Sequence, residues 1–180
     1  MLITAAAYRD FMAEHATGVC IATTTDPSGA PVGLTCSSLV SVAVEPPILS
    51  VSLQRDSKTL DAVLQRRRFA VHLLHEDGAE AARRFSQPHA VRFIEGTWSW
   101  GPGGLPLLLD DANAIAECSL HTTVAVADHV VVFGTVHDLR IVAARPPLVY
   151  ARRNFMSVPP HLTRQGASRP ADTPSVEMTD

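Results

Sequence analysis

Apolar positions along this chain follow two rhythms, one of helical spacing and one of strict alternation. Tyr8, Phe11 and Met12 recur at i, i+3, i+4 behind Thr4, which predicts a capped helix from Thr4 through about His15, closed by Gly18. Val19 to Thr25 is rich in β-branched residues, the turn-forming run DPSGAP follows, and a second apolar run starts at Val32, so a β-hairpin is expected. Ile48 to Leu53 reads as a third strand whose entrance is marked by Pro46 and Pro47. Ser57 caps a second helix over SKTLDAVLQRR, with Leu60, Val63 and Leu64 on one face. FAVHLL is a buried strand, and EDGAEAARRF a third helix ending near Phe85.

Beyond the loop WGPGGLPLL come two long alternating runs, NAIAECSLHTTVAVA and HVVVFGTVHDLRIV, joined at Ala127 and Asp128. In the first, Ala114, Ala116, Cys118, Leu120, Thr122, Val124 and Val126 share one face, while Glu117, Ser119, His121 and Thr123 share the other. That alternation predicts antiparallel strands with one face inside. Many strands, few helices and hairpin connections point to a mainly β fold, a closed or nearly closed barrel with flanking helices. The barrel domain is expected over residues 1–160. Residues 161–180, polar and proline-bearing, are expected to be a disordered tail.

Composition narrows the function classes. With 180 residues, 46% of them apolar and 18% charged, the chain has the make-up of one globular domain. A formal net charge of −3 gives no electrostatic footprint for nucleic acid or anionic lipid. Cys20, Cys36 and Cys118 are an odd set without C-x-x-C spacing, which suits neither a disulfide framework nor a zinc knuckle and suggests a reduced, cytoplasmic setting. The first eighteen residues lack a basic start and a long apolar run, so no secretory signal is expected, and no 18-residue window reads as a membrane span.

One strand segment departs from the usual use of bulk. GLTCSSLVSV, Gly33 to Val42, places Thr35, Cys36, Ser37 and Ser38 in a row behind a glycine. Small side chains let a ligand approach the backbone, and hydroxyls and N–H groups offer it hydrogen bonds. Serine-nucleophile chemistry is not expected, because no G-x-S-x-G elbow occurs and these serines lie in a strand context. Cys118 and His121 are three apart on a strand, face opposite ways, and do not readily share a metal with His129. Cys36 is read as a compact wall residue, since nothing in the sequence pairs with it.

No P-loop or G-x-G-x-x-G occurs, so any nucleotide must be held by another device. RDSKT offers one: Ser57 and Thr59 hydroxyls, the Lys58 charge and the unpaired N–H groups of a helix start suit a phosphate. On spacing alone, an ordinary capped helix with a solvated lysine is the favoured reading.

Taken together, GVCIATT, PVGLTCSSLVSVAVEPPILSVSLQRDSKT, FAVHLL, ARRFS, GPGGLPLL, ADHVVVFGTV and PLVYARRNF resemble, in order from about Phe11 to about Phe155, the flavin reductase family of short-chain split-barrel proteins. These serve as the reductase component of two-component flavin monooxygenases. The resemblance implies a homodimer of six-stranded Greek-key split barrels that bind FMN or FAD and take hydride from NADH or NADPH, releasing reduced flavin to a separate monooxygenase. It further implies that Thr35, Cys36, Ser37 and Ser38 lie along the flavin ring, with Ser52 and Leu53 beside them. Ser57, Lys58 and Thr59 match the phosphate turn, and Arg84 and Phe85 a further flavin contact. His129 matches a histidine near the nicotinamide. Tyr150, Arg152 and Arg153, in YARRNF, match an element closing over the dinucleotide.

The chain departs from the family pattern at Ala127, where glycine is usual in a Gly-Asp-His element, at Leu39, where an aromatic is frequent, and at Glu45, where aspartate is commoner. Two alternatives stay open on the same barrel: a pyridoxamine-phosphate-oxidase-like oxidase, and a non-catalytic flavin or haem carrier or sensor.

Overall fold

The computed structural model describes residues 2–88 and 90–159, so the tail expected at 161–180 lies outside the described residues. Helix α1 (Ala5–Ala13) is capped by Thr4, whose hydroxyl accepts from the Ala7 N–H. Then follow β1 (Thr17–Gly18), β2 (Cys20–Thr25), β3 (Pro31–Cys36), β4 (Val40–Ala43) and β5 (Ile48–Gln54). Helix α2 (Lys58–Arg66) precedes β6 (Arg68–Leu74), and a 3-10 turn (Glu76–Gly78) leads into α3 (Ala79–Ser86). The rest is β7 (Ser99–Trp100), β8 (Pro106–Leu107), β9 (Ala112–Val126), β10 (His129–Ile141), β11 (Leu148–Ala151) and β12 (Asn154–Ser157).

The principal sheet has seven strands, not the expected six, in the order β3-β2-β6-β9-β10-β5-β4, with every pairing antiparallel. The additional strand is β4, which pairs with the first half of β5 through Val40–Ser50, Ser41–Leu49 and Ala43–Ile48. The sheet curls so that Cys20, Val51, Leu53, Phe69, Val71, Cys118 and Val132 meet in one core, into which α2 inserts Leu60 and Val63. A second cluster, outside the sheet, packs Ala81, Ala82 and Phe85 of α3 against Val19, Ile21 and Leu74. Strands β2 and β6 and the first half of β9 thus bury apolar side chains on both faces, where α3 or the β8 region covers them.

Three expectations need correction. Helix α1 ends at Ala13, Gly18 lies in β1, and Tyr8 and Phe11 are 57% and 73% exposed, because among the described residues no other element covers that stripe. On α2 the buried residues are Thr59, Leu60, Ala62 and Val63, while Leu64 is 40% exposed. One-face burial does not hold along β9. As far as Leu120 both faces are largely covered, since Cys118 and Leu120 point into the barrel and Ala112 and Ile115 pack with Leu105 and Leu107. Past Ser119 the pairing with β6 ends, and residues 121–126 are exposed on both faces. Glu117, assigned to the outer face, is buried and ion-paired with Arg140 (3.0 Å) and Arg68 (3.7 Å). Among the described residues no helix is long and apolar enough to cross a membrane.

Candidate functional site

The open seam of the sheet makes the site. Strand β3 is an edge, so one side of its backbone has no strand partner, and β5 pairs with β4 only as far as Ser50, leaving Ser52 to Gln54 without a strand partner on that side, where the Ser38 hydroxyl caps Ser52. Where the two face each other they bound a groove of about 1000 Å³. The Gly33 carbonyl on the free edge accepts from an Arg92 guanidinium N–H at 2.6 Å. By the two-residue alternation of a strand, the Thr35 N–H and C=O point to that same free side.

Helix α2 begins at one end of the groove. Ser57 is its N-cap in extended conformation, its hydroxyl accepting from the Leu60 N–H at 3.4 Å, and the first main-chain bond runs from the Asp61 N–H to the Ser57 carbonyl. The N–H groups of Lys58 and Thr59 lie ahead of that bond, at the positive end of the helix dipole and beside the Lys58 ammonium, an arrangement that suits a phosphate.

Thr35, Cys36, Ser37, Ser38, Ser52, Leu53, Ser57, Lys58, Thr59, Phe85 and His129 all come together on this groove. Several of their polar atoms are already engaged. The Thr35 hydroxyl donates to the Ala82 carbonyl (2.7 Å), tying β3 to α3. The Ser38 hydroxyl accepts from the Ser52 N–H (2.9 Å) and clips the turn after β3 onto β5. Cys36 does have a partner, contrary to the expectation: the Cys20 sulfur, directly opposite on β2, lies 3.3 Å from its own. Gly33 is needed chiefly by the chain itself, since a Cβ there meets the Ala22 carbonyl at 2.8 Å and Phe85 at 3.1 Å.

Arg84 does not line the groove. Its Nε donates to the Arg92 carbonyl (3.1 Å) and its guanidinium lies 3.8 Å from Glu80, so it anchors the loop that carries Arg92. Tyr150 and Arg153 line an adjoining cleft of about 400 Å³ that shares Thr35, Cys36, Ser37 and Ser86 with the groove. Arg152 reaches neither: its guanidinium pairs with Glu14 of α1 at 3.0 Å, while Arg153 also pairs with Asp10 at 2.5 Å. The groove also draws in Gln54, Asp56, Ser86, Arg92 and Phe93, none of which the sequence reading singled out. Arg92 and Phe93 sit in a loop without a motif, and what places them is tertiary: the Arg92 bonds to Gly33 and Gln87, and the edge-to-face stack of Phe93 on Phe85 (5.0 Å).

His129 opens β10 at the groove rim, after Ala127 in left-handed conformation (φ 49°) and Asp128. Its Nδ1 lies 2.9 Å from the Asp128 carboxylate, an acceptor that orients the ring through an Nδ1–H donor. The same bond holds the Asp128 carboxyl below its ordinary range. Partial burial pulls the Arg92 guanidinium down from its usual value. The Cys20 thiol is held well above the usual range by its bond to Cys36 and by burial.

Of the three residues weighed as metal ligands, Cys118 is in the core, His121 bonds Thr135 on the surface and His129 is at the rim. The groove is a wall of backbone and small hydroxyls with a cationic end. It suits a flat ligand carrying a phosphate, and its donor set matches a flavin nucleotide: N–H groups for ring carbonyls, a helix start for the phosphate.

Residues 12–159 match the model of the flavin reductase like domain family. The chain is 42% identical over 154 residues to a flavin reductase (NADPH) of Lentzea aerocolonigenes, covering 85% of this chain and 89% of that one. It is 38% identical over 165 residues to a flavin reductase (NADH) of Kitasatospora aureofaciens, covering 88% and 84%. Among solved structures, the styrene monooxygenase flavin reductase of Pseudomonas putida S12 superimposes with a TM-score of 0.77 at 28% identity, over 84% of this chain and 97% of that one.

Proposed function

The chain belongs to the flavin reductase like domain family, and we propose that its work there is to reduce FMN or FAD with NADH or NADPH and to hand the reduced flavin to a separate flavin-dependent monooxygenase. The observation that carries this reading is the seam between β3 and β5, an unpaired backbone edge lined by small residues and ending on the N-terminus of α2. A bound flavin supplies the hydride acceptor there, so no protein nucleophile is required.

The chain's own residues bind, orient and stabilise. The outward Thr35 N–H offers a fixed donor to the ring edge where negative charge develops on reduction. Ser57, Lys58 and Thr59 hold the phosphate. Phe85, backed by Phe93, closes one side of the ring site. Nε2 of His129 accepts a hydrogen bond at the rim, which suits the carboxamide N–H of a nicotinamide. Tyr150 and Arg153 border the cleft for the remainder of the dinucleotide, and Arg152 and Arg153 reach its phosphates by leaving Glu14 and Asp10. A site so open, with one lysine for the phosphate, binds loosely enough to release its product.

A homodimer and a cytoplasmic setting complete the proposal. The dimer is supported by the exposed apolar residues of α1, by Val124 and Val126 where β9 runs past β6, and by Leu139 and Ile141 at the far end of β10. The deciding experiment is anaerobic bleaching of FMN absorbance near 450 nm by NADH or NADPH at catalytic protein concentration. Bleaching no faster than without protein removes the reading. Ser57→Ala with Thr59→Ala is expected to weaken flavin binding roughly tenfold or more, each charge-assisted bond being worth about 1.5 kcal/mol.

A further inference from the structure

We propose that Cys20 and Cys36 form a peroxide-oxidisable dithiol built into the groove wall, and that closing it to a disulfide weakens flavin binding. The two residues are directly opposite in the β2–β3 pair, with sulfurs 3.3 Å apart, and both are free thiols. Directly opposed residues of an antiparallel pair have Cα atoms about 4.5–5.5 Å apart, inside the roughly 4.4–6.8 Å span that disulfides accept. Access is one-sided. Cys36 is only partly buried and lines both the groove and the adjoining cleft, whereas Cys20 is buried behind it and donates to the Cys36 carbonyl at 3.2 Å. Cys36 is therefore the residue an oxidant meets first, and Cys20 the one placed to resolve it.

The chemistry balances with a hydroperoxide as the named oxidant. The Cys36 thiolate attacks one peroxide oxygen, the O–O bond breaks to give the sulfenic acid, and the departing hydroxide takes up the proton released by the Cys36 thiol and leaves as water. The Cys20 sulfur then displaces that hydroxyl as a second water, its own proton going to the leaving oxygen. In sum, two thiols and one hydrogen peroxide give one disulfide and two waters. The proposed function supplies the oxidant, and to that extent the inference rests on it: released dihydroflavin and dioxygen yield flavin and hydrogen peroxide. Bond formation draws the sulfurs from 3.3 Å to about 2.05 Å and pulls in the end of β3 at the residue that lines the groove. Displacements of that size at a binding wall are costly to ligand geometry.

The experiment treats the flavin-free full-length protein with hydrogen peroxide and follows thiols and mass. Three titratable thiols under denaturing conditions should fall to one, with an intact mass 2 Da lower and a peptide joining Cys20 to Cys36. FMN affinity, read by fluorescence quenching, should drop several-fold and return with dithiothreitol. Cys20→Ser should instead stop at a dimedone-reactive Cys36 and keep all its mass response outside the 2 Da loss. An unchanged thiol count, a Cys36 sulfinic acid beside an intact Cys20, a bond between two chains, or an oxidised form with unaltered FMN affinity would each overturn the proposal. Failure of the reduced protein to bind FMN strikes the flavin reading instead, and the flavin-free thiol titration separates the two.

Discussion

Gly33 is where the chain's own packing and the candidate ligand wall meet, and Gly33→Ala tests how tightly. The added Cβ would stand 2.8 Å from the Ala22 carbonyl, 3.1 Å from Cε1 of Phe85 and 3.1 Å from Cγ2 of Thr23. None of these can swing aside. The first is backbone in the middle of the β2–β3 ladder, Phe85 and Thr23 are fully buried, and the Thr23 hydroxyl is bound to the Pro106 carbonyl at 2.6 Å. Reaching an ordinary 3.4 Å contact requires β3 to move about 0.6 Å from β2. Overpacking of this kind costs about 1–3 kcal/mol. In a domain of this size each kcal/mol lowers Tm by roughly 2–4 °C, so a fall of roughly 4–8 °C is expected for a mid-range cost. Two controls rank the causes. Gly29→Ala has open space around it but φ of +85°, and should lose only the left-handed strain of about 1–2 kcal/mol. Gly18→Ala has neither problem and should stay within about 0.5 kcal/mol. Differential scanning calorimetry reads all three, and FMN quenching of Gly33→Ala should show weaker binding because the displaced strand is the groove wall. A Gly33→Ala protein melting within a degree of the parent would refute the packing argument.

Other expectations follow from single contacts. Arg92→Ala removes the guanidinium bonds to the Gly33 and Gln87 carbonyls and should loosen the loop over the groove, seen as faster proteolysis between residues 87 and 97 and a several-fold rise in flavin Kd; unaltered protease protection would contradict it. Ala127→Gly relieves a left-handed alanine (φ 49°) and should stabilise by about 1 kcal/mol in urea titration, and a destabilised variant would show that the Ala127 methyl makes contacts that outweigh the strain. His72 is buried, with Nδ1 on the Ile21 carbonyl and Nε2 without a partner among the described residues, and burial pulls it down to about 4. The unfolded state therefore binds the extra proton first, so its contribution to stability is complete above about pH 6.5 and falls as pH drops toward 4, by about 3 kcal/mol in all. Urea midpoints at pH 7, 5.5 and 4.5 should fall less steeply in His72→Gln, and parallel slopes would assign the acid sensitivity elsewhere.

Local patterns in the chain carried much of the structure. Thr4 and Ser57 cap their helices, DPSGAP turns with the Asp26 carboxylate accepting from Ser28 and Ala30, and Pro46 and Pro47 precede β5. Each rests on chemistry within a few residues of itself, which is why it could be read in advance. The small residues of GLTCSS and the RDSKT turn come together on one groove.

Whether a small residue serves a ligand or a neighbouring strand, however, depends on what stands opposite it. Gly33 makes room for Ala22 and Phe85, Thr35 spends its hydroxyl on Ala82, and Cys36 faces Cys20, sixteen positions away in the chain. The same holds for charges. Arg84 rests on a loop carbonyl and Arg152 on a helix carboxylate, while Arg92, in no motif, reaches the groove. A single sequence thus determines the elements, their caps and the chemical character of the seam, because those follow from backbone sterics and nearest-neighbour hydrogen bonding. Which side chains remain free at that seam was decided only by the curl of the sheet, which brings β3, β5, α2 and the loop after α3 to one place.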